Sequence, residues 1–132
     1  MIHYARSPEI SNEEMNELFS AAWEDHQEKD FEGTMDRNSQ FWVCGRDDGR
    51  LVGFVKVVWD MGSHAFVLDT TTHPSYQRRG IGRDLLREAI AMAKERSIEW
   101  LHVDFEARYK SFYERAGFTS TDAGLINLRR GT

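Results

Sequence analysis

Thr72-His73-Pro74-Ser75-Tyr76-Gln77-Arg78-Arg79-Gly80-Ile81-Gly82 joins the end of a strand-forming run to the start of the clearest helical pattern in the chain. Upstream, Ala65 to Thr72 reads as a strand that ends in three threonines. Pro74 disfavours helix in the residue before it, so the strand stays extended up to the turn. Downstream, Ile81, Leu85, Leu86, Ala89, Ile90 and Ala93 form one apolar stripe, which predicts a helix over Gly80 to Arg96.

A strand, a glycine turn and a helix in that order offer an anion site. The first N–H groups of a helix lack internal partners, and the helix dipole favours negative charge there. A pyrophosphate suits such a place. Gly80 and Gly82 carry no Cβ, so backbone can approach phosphates closely, and Arg78, Arg79 and Arg83 add positive charge. The segment is not a P-loop, because no Gly-x-x-x-x-Gly-Lys-[Ser/Thr] occurs. Nor is it a dinucleotide fingerprint, whose third glycine would fall at Leu85. Taken alone, the loop is also what a plain glycine turn opening a helix looks like.

Working outward, Ser11 with Glu14 forms a capping-box pattern. Met15, Leu18, Phe19, Ala22 and Trp23 follow at helical spacing. Residues 24 to 39 read as a loop with a second short helix. Gln40 to Cys44 and Leu51 to Trp59 are two strands around the turn Arg46-Asp47-Asp48-Gly49-Arg50. Ile98 to Phe105 is a further strand, with Ile98, Trp100 and His102 on one face and Leu101, Val103 and Phe105 on the other. Ala107 to Ala116 is a short helix ended by Gly117. Phe118 to Arg129 is expected as a last strand or strand pair. Cys44 is expected as a small core residue, and Trp42, Trp59 and Trp100 in the core or a pocket wall.

The bulk properties bound the function. A chain of 132 residues is the size of one domain, expected over 1–132, and 40% hydrophobic residues suffice for a core. The net charge of -5 argues against a general nucleic-acid binder. A single cysteine cannot form an internal disulfide, and no leader is visible, so a cytoplasmic protein is expected. No apolar run approaches the ~20 residues that span a bilayer. The five histidines and one cysteine show no metal spacing, so no metal site is expected.

The opening segment, with Leu85-Leu86 after it, resembles motif A of the GNAT superfamily of acetyl-CoA-dependent N-acetyltransferases, whose core is Gln/Arg-x-x-Gly-x-Gly/Ala. Phe112-Tyr113-Glu114-Arg115-Ala116-Gly117-Phe118 resembles the family's motif B, and Leu51-Val52-Gly53-Phe54 is also similar to it. The resemblance runs from about residue 40 to 118. It implies the GNAT fold: an α/β (α+β) arrangement with a mixed, mostly antiparallel sheet flanked by helices. A central parallel pair would splay near Thr72 and Phe105. It implies acetyl-CoA as co-substrate, its pyrophosphate on the backbone of Gln77, Arg78, Arg79, Gly80, Ile81, Gly82 and Arg83. Thr70, Thr71 and Thr72 would hydrogen-bond the pantetheine arm, and a backbone N–H there would polarise the thioester carbonyl. Tyr113 would lie near the thiolate of coenzyme A. Glu106 stands where the family often has asparagine. A homodimer is possible by the same analogy.

The chemistry then needs a neutral amine, although a lysine-like amine of pKa near ~10.4 is mostly charged at neutral pH. A base must take that proton, directly or through water. Asp69 is the first candidate for base or amine anchor; Asp104 and Glu106 come second. Tyr113 would protonate the leaving thiolate. The acceptor is a primary amine on a small molecule or a protein. Two rivals stand beside this reading: a sensor that holds acetyl-CoA or CoA without turnover, supported by Glu106, and a different nucleotide-phosphate binder.

Overall fold

The structure, a computed structural model, describes residues 1–129. The expected domain ran to residue 132, so its last three positions lie outside the described residues.

The capping box forms as the sequence predicts. The Ser11 hydroxyl accepts from the Glu14 N–H, and the Glu14 carboxylate accepts from the Ser11 N–H, opening helix α1 at Asn12–Ala22. A short helix α2, Phe31–Thr34, comes next. Strands β2 (Gln40–Asp47) and β3 (Arg50–Trp59) then form the hairpin. Asp47 faces Arg50 across a two-residue turn in which Asp48 and Gly49 both have positive φ, the geometry that matches strand twist. Strand β4 (His64–Thr72), helix α3 (Ile81–Glu95), strand β5 (Trp100–Val103) and helix α4 (Lys110–Arg115) complete the elements.

One strand was not foreseen. β1, Ile2–Arg6, pairs antiparallel with β2. Its residues Ile-His-Tyr-Ala-Arg are half polar, and only the neighbouring edge of β2 makes them a strand. The expected strand over Phe118 to Arg129 is absent: residues 118–127 form no regular element. Phe118 still packs into the core, its ring edge-on to Tyr113. Thr119 to Gly124 then offers almost no apolar side chain to hold a strand on the sheet, and Leu125, Ile126 and Leu128 are exposed. The five-stranded sheet therefore runs β1-β2-β3-β4-β5, antiparallel except for the parallel pair β4–β5, which stands at its edge.

Helices cover both faces. α3 buries Ile81, Leu85, Leu86, Ala89, Met92 and Ala93 against one face, where Val43, Val55, Val57 and Val67 project. Burying a leucine of this kind contributes about 1.5–3 kcal/mol. α1 and α2 cover the other face with Met15, Leu18, Phe19 and Phe31 against Trp42, Cys44 and Phe54. Trp42 and Cys44 are core residues as expected, and Trp59 is half-buried. Trp100 is not in the core: it is 57% exposed, on the face of β5 opposite Leu101 and Val103, which pack against the α3-side core. Ile98 precedes β5 rather than alternating within it, and packs against the α3-side core. Among the described residues, no helix is long and apolar enough to cross a membrane.

Candidate active site

β4 and β5 pair only from His64–Trp100 to Val67–Val103. Beyond that they part, earlier than the expected point near Thr72 and Phe105. The gap widens into an open cleft of about 1970 Å³, framed by α3, α4 and the loop after α1.

A bulge sits in β4 where the strands part. Lys56 faces Leu68 and Phe54 faces Thr71, so Val55 alone lies opposite Asp69 and Thr70. Asp69 has φ 58, the left-handed region that non-glycine residues enter only at a cost. A bulge of this kind takes backbone groups out of the ladder and re-aims the side chains beyond it. Thr70 meets Tyr113, whose hydroxyl donates to the Thr70 hydroxyl at 3.4 Å. Thr71 is buried and lies instead beside Trp23.

The opposite wall is the N-terminus of α3. Gly80 is its N-cap at φ 78, and Arg78, two residues earlier, has φ 65. Asp84 N–H to Gly80 C=O is the first bond of the helix. The N–H groups of Ile81, Gly82 and Arg83 precede it and have no intrahelical acceptor. A Cβ on Gly82 would lie 3.3 Å from the Phe112 ring and 3.7 Å from the Thr72 hydroxyl. Its absence lets the strand end, the helix start and α4 converge. Arg78, Arg83 and Arg87 line this end of the cleft, and Asp84 holds the last two, at 3.4 Å from Arg83 and 3.9 Å from Arg87. Asp84 also accepts from the Tyr4 phenol, whose pKa is pushed up to about 12 by burial and by that carboxylate.

Of the residues singled out in the sequence, Thr70, Thr71, Thr72, Gln77, Arg78, Gly80, Ile81, Gly82, Arg83, Asp69, Asp104, Glu106 and Tyr113 all line this one cleft. Arg79 does not. Its guanidinium stacks over the Tyr76 ring, 4.8 Å from the centroid. Asp69 is paired with Lys56 at 3.6 Å, and Glu106 is held by Arg108 at 2.8 Å. Asp104 has no ion-pair partner among the described residues. Tyr113 is buried between Phe105, Phe112 and Phe118. Burial raises its phenol pKa, Tyr109 adds to this, and the Thr70 hydrogen bond opposes it, so the phenol keeps its proton at neutral pH. Among the described residues, no group of three or more His, Cys, Asp or Glu is gathered to hold a metal.

The family model of the acetyltransferase (GNAT) family matches residues 8–118. The chain belongs to the GNAT family. Among similar proteins is the uncharacterized N-acetyltransferase ycf52 of Porphyra purpurea, 30% identical over 79 residues, which are 60% of this chain and 45% of that one. The chain spans about half the length of the curated relatives it matches. A GNAT family acetyltransferase of Streptococcus pneumoniae TIGR4 superposes with a TM-score of 0.78 at 27% identity, covering 96% of this chain and 98% of the other. AAC(6')-Iy, solved with the bisubstrate analog CoA-S-monomethyl-acetylneamine, has a TM-score of 0.78 at 14% identity, over 96% and 97% of the two chains.

Two features of this GNAT chain's cleft were not legible in the sequence. One is the loop after α1. Asn16, buried within α1, accepts from the Lys29 N–H at 2.9 Å, hydrogen-bonds His26 Nε2 at 2.8 Å and donates to the Lys29 carbonyl at 2.9 Å. His26 stacks on Phe31, so Glu24 to Gln27 are fixed along the cleft rim. An asparagine inside a helical pattern was the available signal, because mid-helix it competes for backbone hydrogen bonds. The other is Trp23. Its spacing put it on the apolar face of a helix that the resemblance sets over the substrate cleft; it is 47% exposed, and its Nε1 donates to the Thr71 hydroxyl at 3.1 Å, a contact no spacing indicates.

Proposed function

We propose that this GNAT domain is an acetyl-CoA-dependent N-acetyltransferase that moves the acetyl group onto a primary amine of a small molecule or protein, by direct attack with both substrates bound together. One observation carries the reading. The free N–H groups of a helix start, a strand bulge and a buried phenol face a single gap in the sheet. The residues present fit the cofactor: glycines occupy the two positions where a side chain would crowd the anion cradle, and three arginines stand beside it.

Bound acetyl-CoA would supply the acyl group already activated as a thioester. The backbone of residues 78 to 83 would hold its pyrophosphate, with Arg78 and Arg83 adding charge. Thr70, Thr71 and Thr72 would hydrogen-bond the pantetheine arm as an added strand would. A backbone N–H at the bulge would steady negative charge on the carbonyl oxygen as the amine attacks. The amine proton passes to Asp69, or to water beside it, with Asp104 and Glu106 as further anchors for a cationic acceptor. As the thiolate leaves, Tyr113, a neutral phenol, would give its proton to the sulfur. Arg108 offsets the charge of Glu106, which weakens the reason to expect poor cofactor binding.

Calorimetric titration of acetyl-CoA into the wild type and into Gly80→Glu tests this reading. Tight binding in the wild type, with at least about a hundredfold loss in the variant, is expected, since a carboxylate enters the anion cradle. No binding by the wild type, or equal binding by both, would sink the assignment. Thiol release with spermidine, kanamycin and a lysine peptide as acceptors then separates transferase from sensor: binding without release from any amine favours the sensor.

A further inference from the structure

We propose that Trp23 is a positioning residue for the acetyl site: its indole N–H clamps the β4 bulge through the Thr71 hydroxyl. The inference rests on the acetyltransferase reading.

The bulge is held by a short relay. Trp23 Nε1 donates to Thr71 Oγ1 at 3.1 Å, and the Thr71 hydroxyl donates onward to the Asp69 carbonyl at 2.9 Å. Thr71 is 3% exposed, so water has little access to replace either bond. A free threonine hydroxyl can rotate among several acceptors. With the indole donating to it, the hydroxyl must point its own proton away, and the Asp69 carbonyl lies there. That bond closes a ring over Thr70, the second bulged residue, and it is accepted by the carbonyl of Asp69, whose φ is 58. Left-handed backbone at an aspartate persists only where its surroundings over-determine it. Asp69 is also paired with Lys56 at 3.6 Å, a contact that holds the side chain and not the carbonyl.

The bulge has a consequence on the other face of the sheet. Because two residues of β4 stand opposite Val55, Thr70 is turned to Tyr113 while Thr71 is turned to Trp23. An unbulged strand would slip the register by one residue, and such a slip swaps the faces taken by the side chains beyond it. Trp23 thus reaches the proposed thiolate acid without touching it. Trp23 caps α1, its N–H bound to the Phe19 carbonyl at 2.8 Å, so the clamp is anchored to a helix that packs its buried face on the sheet. The same ring lines the cleft.

The test compares wild type with Trp23→Phe, Thr71→Val and Thr71→Ser. Trp23→Phe keeps an aromatic ring but loses the donor along with the second ring, Thr71→Val breaks the same bond and leaves the indole whole, and Thr71→Ser keeps the hydroxyl. Backbone NMR shifts of Asp69 and Thr70 in the free proteins report the bulge. Calorimetry with acetyl-CoA and with CoA reports the acetyl site separately from the phosphate cradle. In Trp23→Phe and Thr71→Val, the Asp69 shifts should move toward extended values. Affinity for acetyl-CoA should fall about tenfold, the size of one hydrogen bond, and by more than any loss for CoA, which shares the pantetheine arm but lacks the acetyl group. Thr71→Ser should resemble wild type in both readouts. Unchanged Asp69 and Thr70 shifts in Trp23→Phe overturn the clamp. Moved shifts with unchanged acetyl-CoA affinity overturn the positioning role and leave only a structural one. If wild type binds neither ligand, the cofactor reading fails, and the positioning role fails with it.

Discussion

Gly80→Ala and Gly49→Ala form a matched pair. Both glycines have positive φ, 78 and 88 respectively. Placing alanine in the left-handed region costs about 1–2 kcal/mol. The unfolded chain loses freedom on the same change, which returns about 0.4–1 kcal/mol. Each variant should therefore lose about 1 kcal/mol. Using about 2.1 cal/mol/K of unfolding entropy per residue, a chain of 132 residues should then melt about 4 °C lower. The two differ in what the new methyl meets. At Gly49 there is nothing within 4 Å. At Gly80 it would lie 2.6 Å from Arg83 Nη2 and 3.1 Å from Cζ, so the guanidinium must swing aside. Arg83 is a mostly exposed cation at the rim of the cleft. Losing one charge-assisted hydrogen bond there costs about 1.5 kcal/mol, or roughly tenfold in acetyl-CoA affinity. Thermal denaturation followed by circular dichroism, with calorimetry of acetyl-CoA, reads both quantities. Equal melting losses with an affinity loss only in Gly80→Ala are expected. Matched affinities in the two variants would refute the argument that Arg83 and the helix start form the anion site.

Cys44 is fully buried, and burial pushes its thiol pKa up to about 12, so it should not react with a disulfide reagent in the native state. One thiol should appear on denaturation, and fast labelling without denaturant would contradict the core placement. Glu14 is held below its ordinary 4.5 chiefly by the Arg46 guanidinium, which donates at 2.7 and 3.0 Å. A carboxyl whose folded pKa is depressed stabilises the protein above the unfolded value, and that stability is lost as pH falls through the folded one. Glu14→Gln should therefore lower the melting temperature at neutral pH and flatten its decline below about pH 4.5; parallel curves for the two proteins would show that the pair contributes nothing.

Local patterns settled much of this molecule. The capping box, the two-residue hairpin turn and the α3 stripe depend on neighbours within a few residues, so they could be read directly. The segment from Thr72 to Gly82 told of a strand end, a turn and a helix start for the same reason. The spacing of Phe112 to Phe118 placed Tyr113 on the helix that comes to face that loop. The elements that could not be read this way are those whose state depends on distant partners. β1 is a strand because the edge of β2 accepts it, and the stretch after Phe118 is not one because Thr119 to Gly124 carries almost no apolar side chain to pack on the sheet. Trp100 is apolar but exposed, since burial depends on what covers a face.

The site divides along the same line. The residue types around the cleft, from the threonines to the arginines and carboxylates, were determined by the sequence and could be named from it. Their roles toward one another were decided by the tertiary structure. A bulge is a mismatch in count between two strands, so the left-handed Asp69 arises from its pairing with β3 and not from its own neighbours. Arg79 turned to Tyr76 while Arg78 and Arg83 turned to the cleft, although all three share one short segment. Trp23 and Thr71 lie 48 positions apart, and only the packing of α1 against the sheet brings the indole N–H to the hydroxyl. Periodicity records which face a side chain takes; hydrogen bonds across elements depend on distances that the folded chain alone sets.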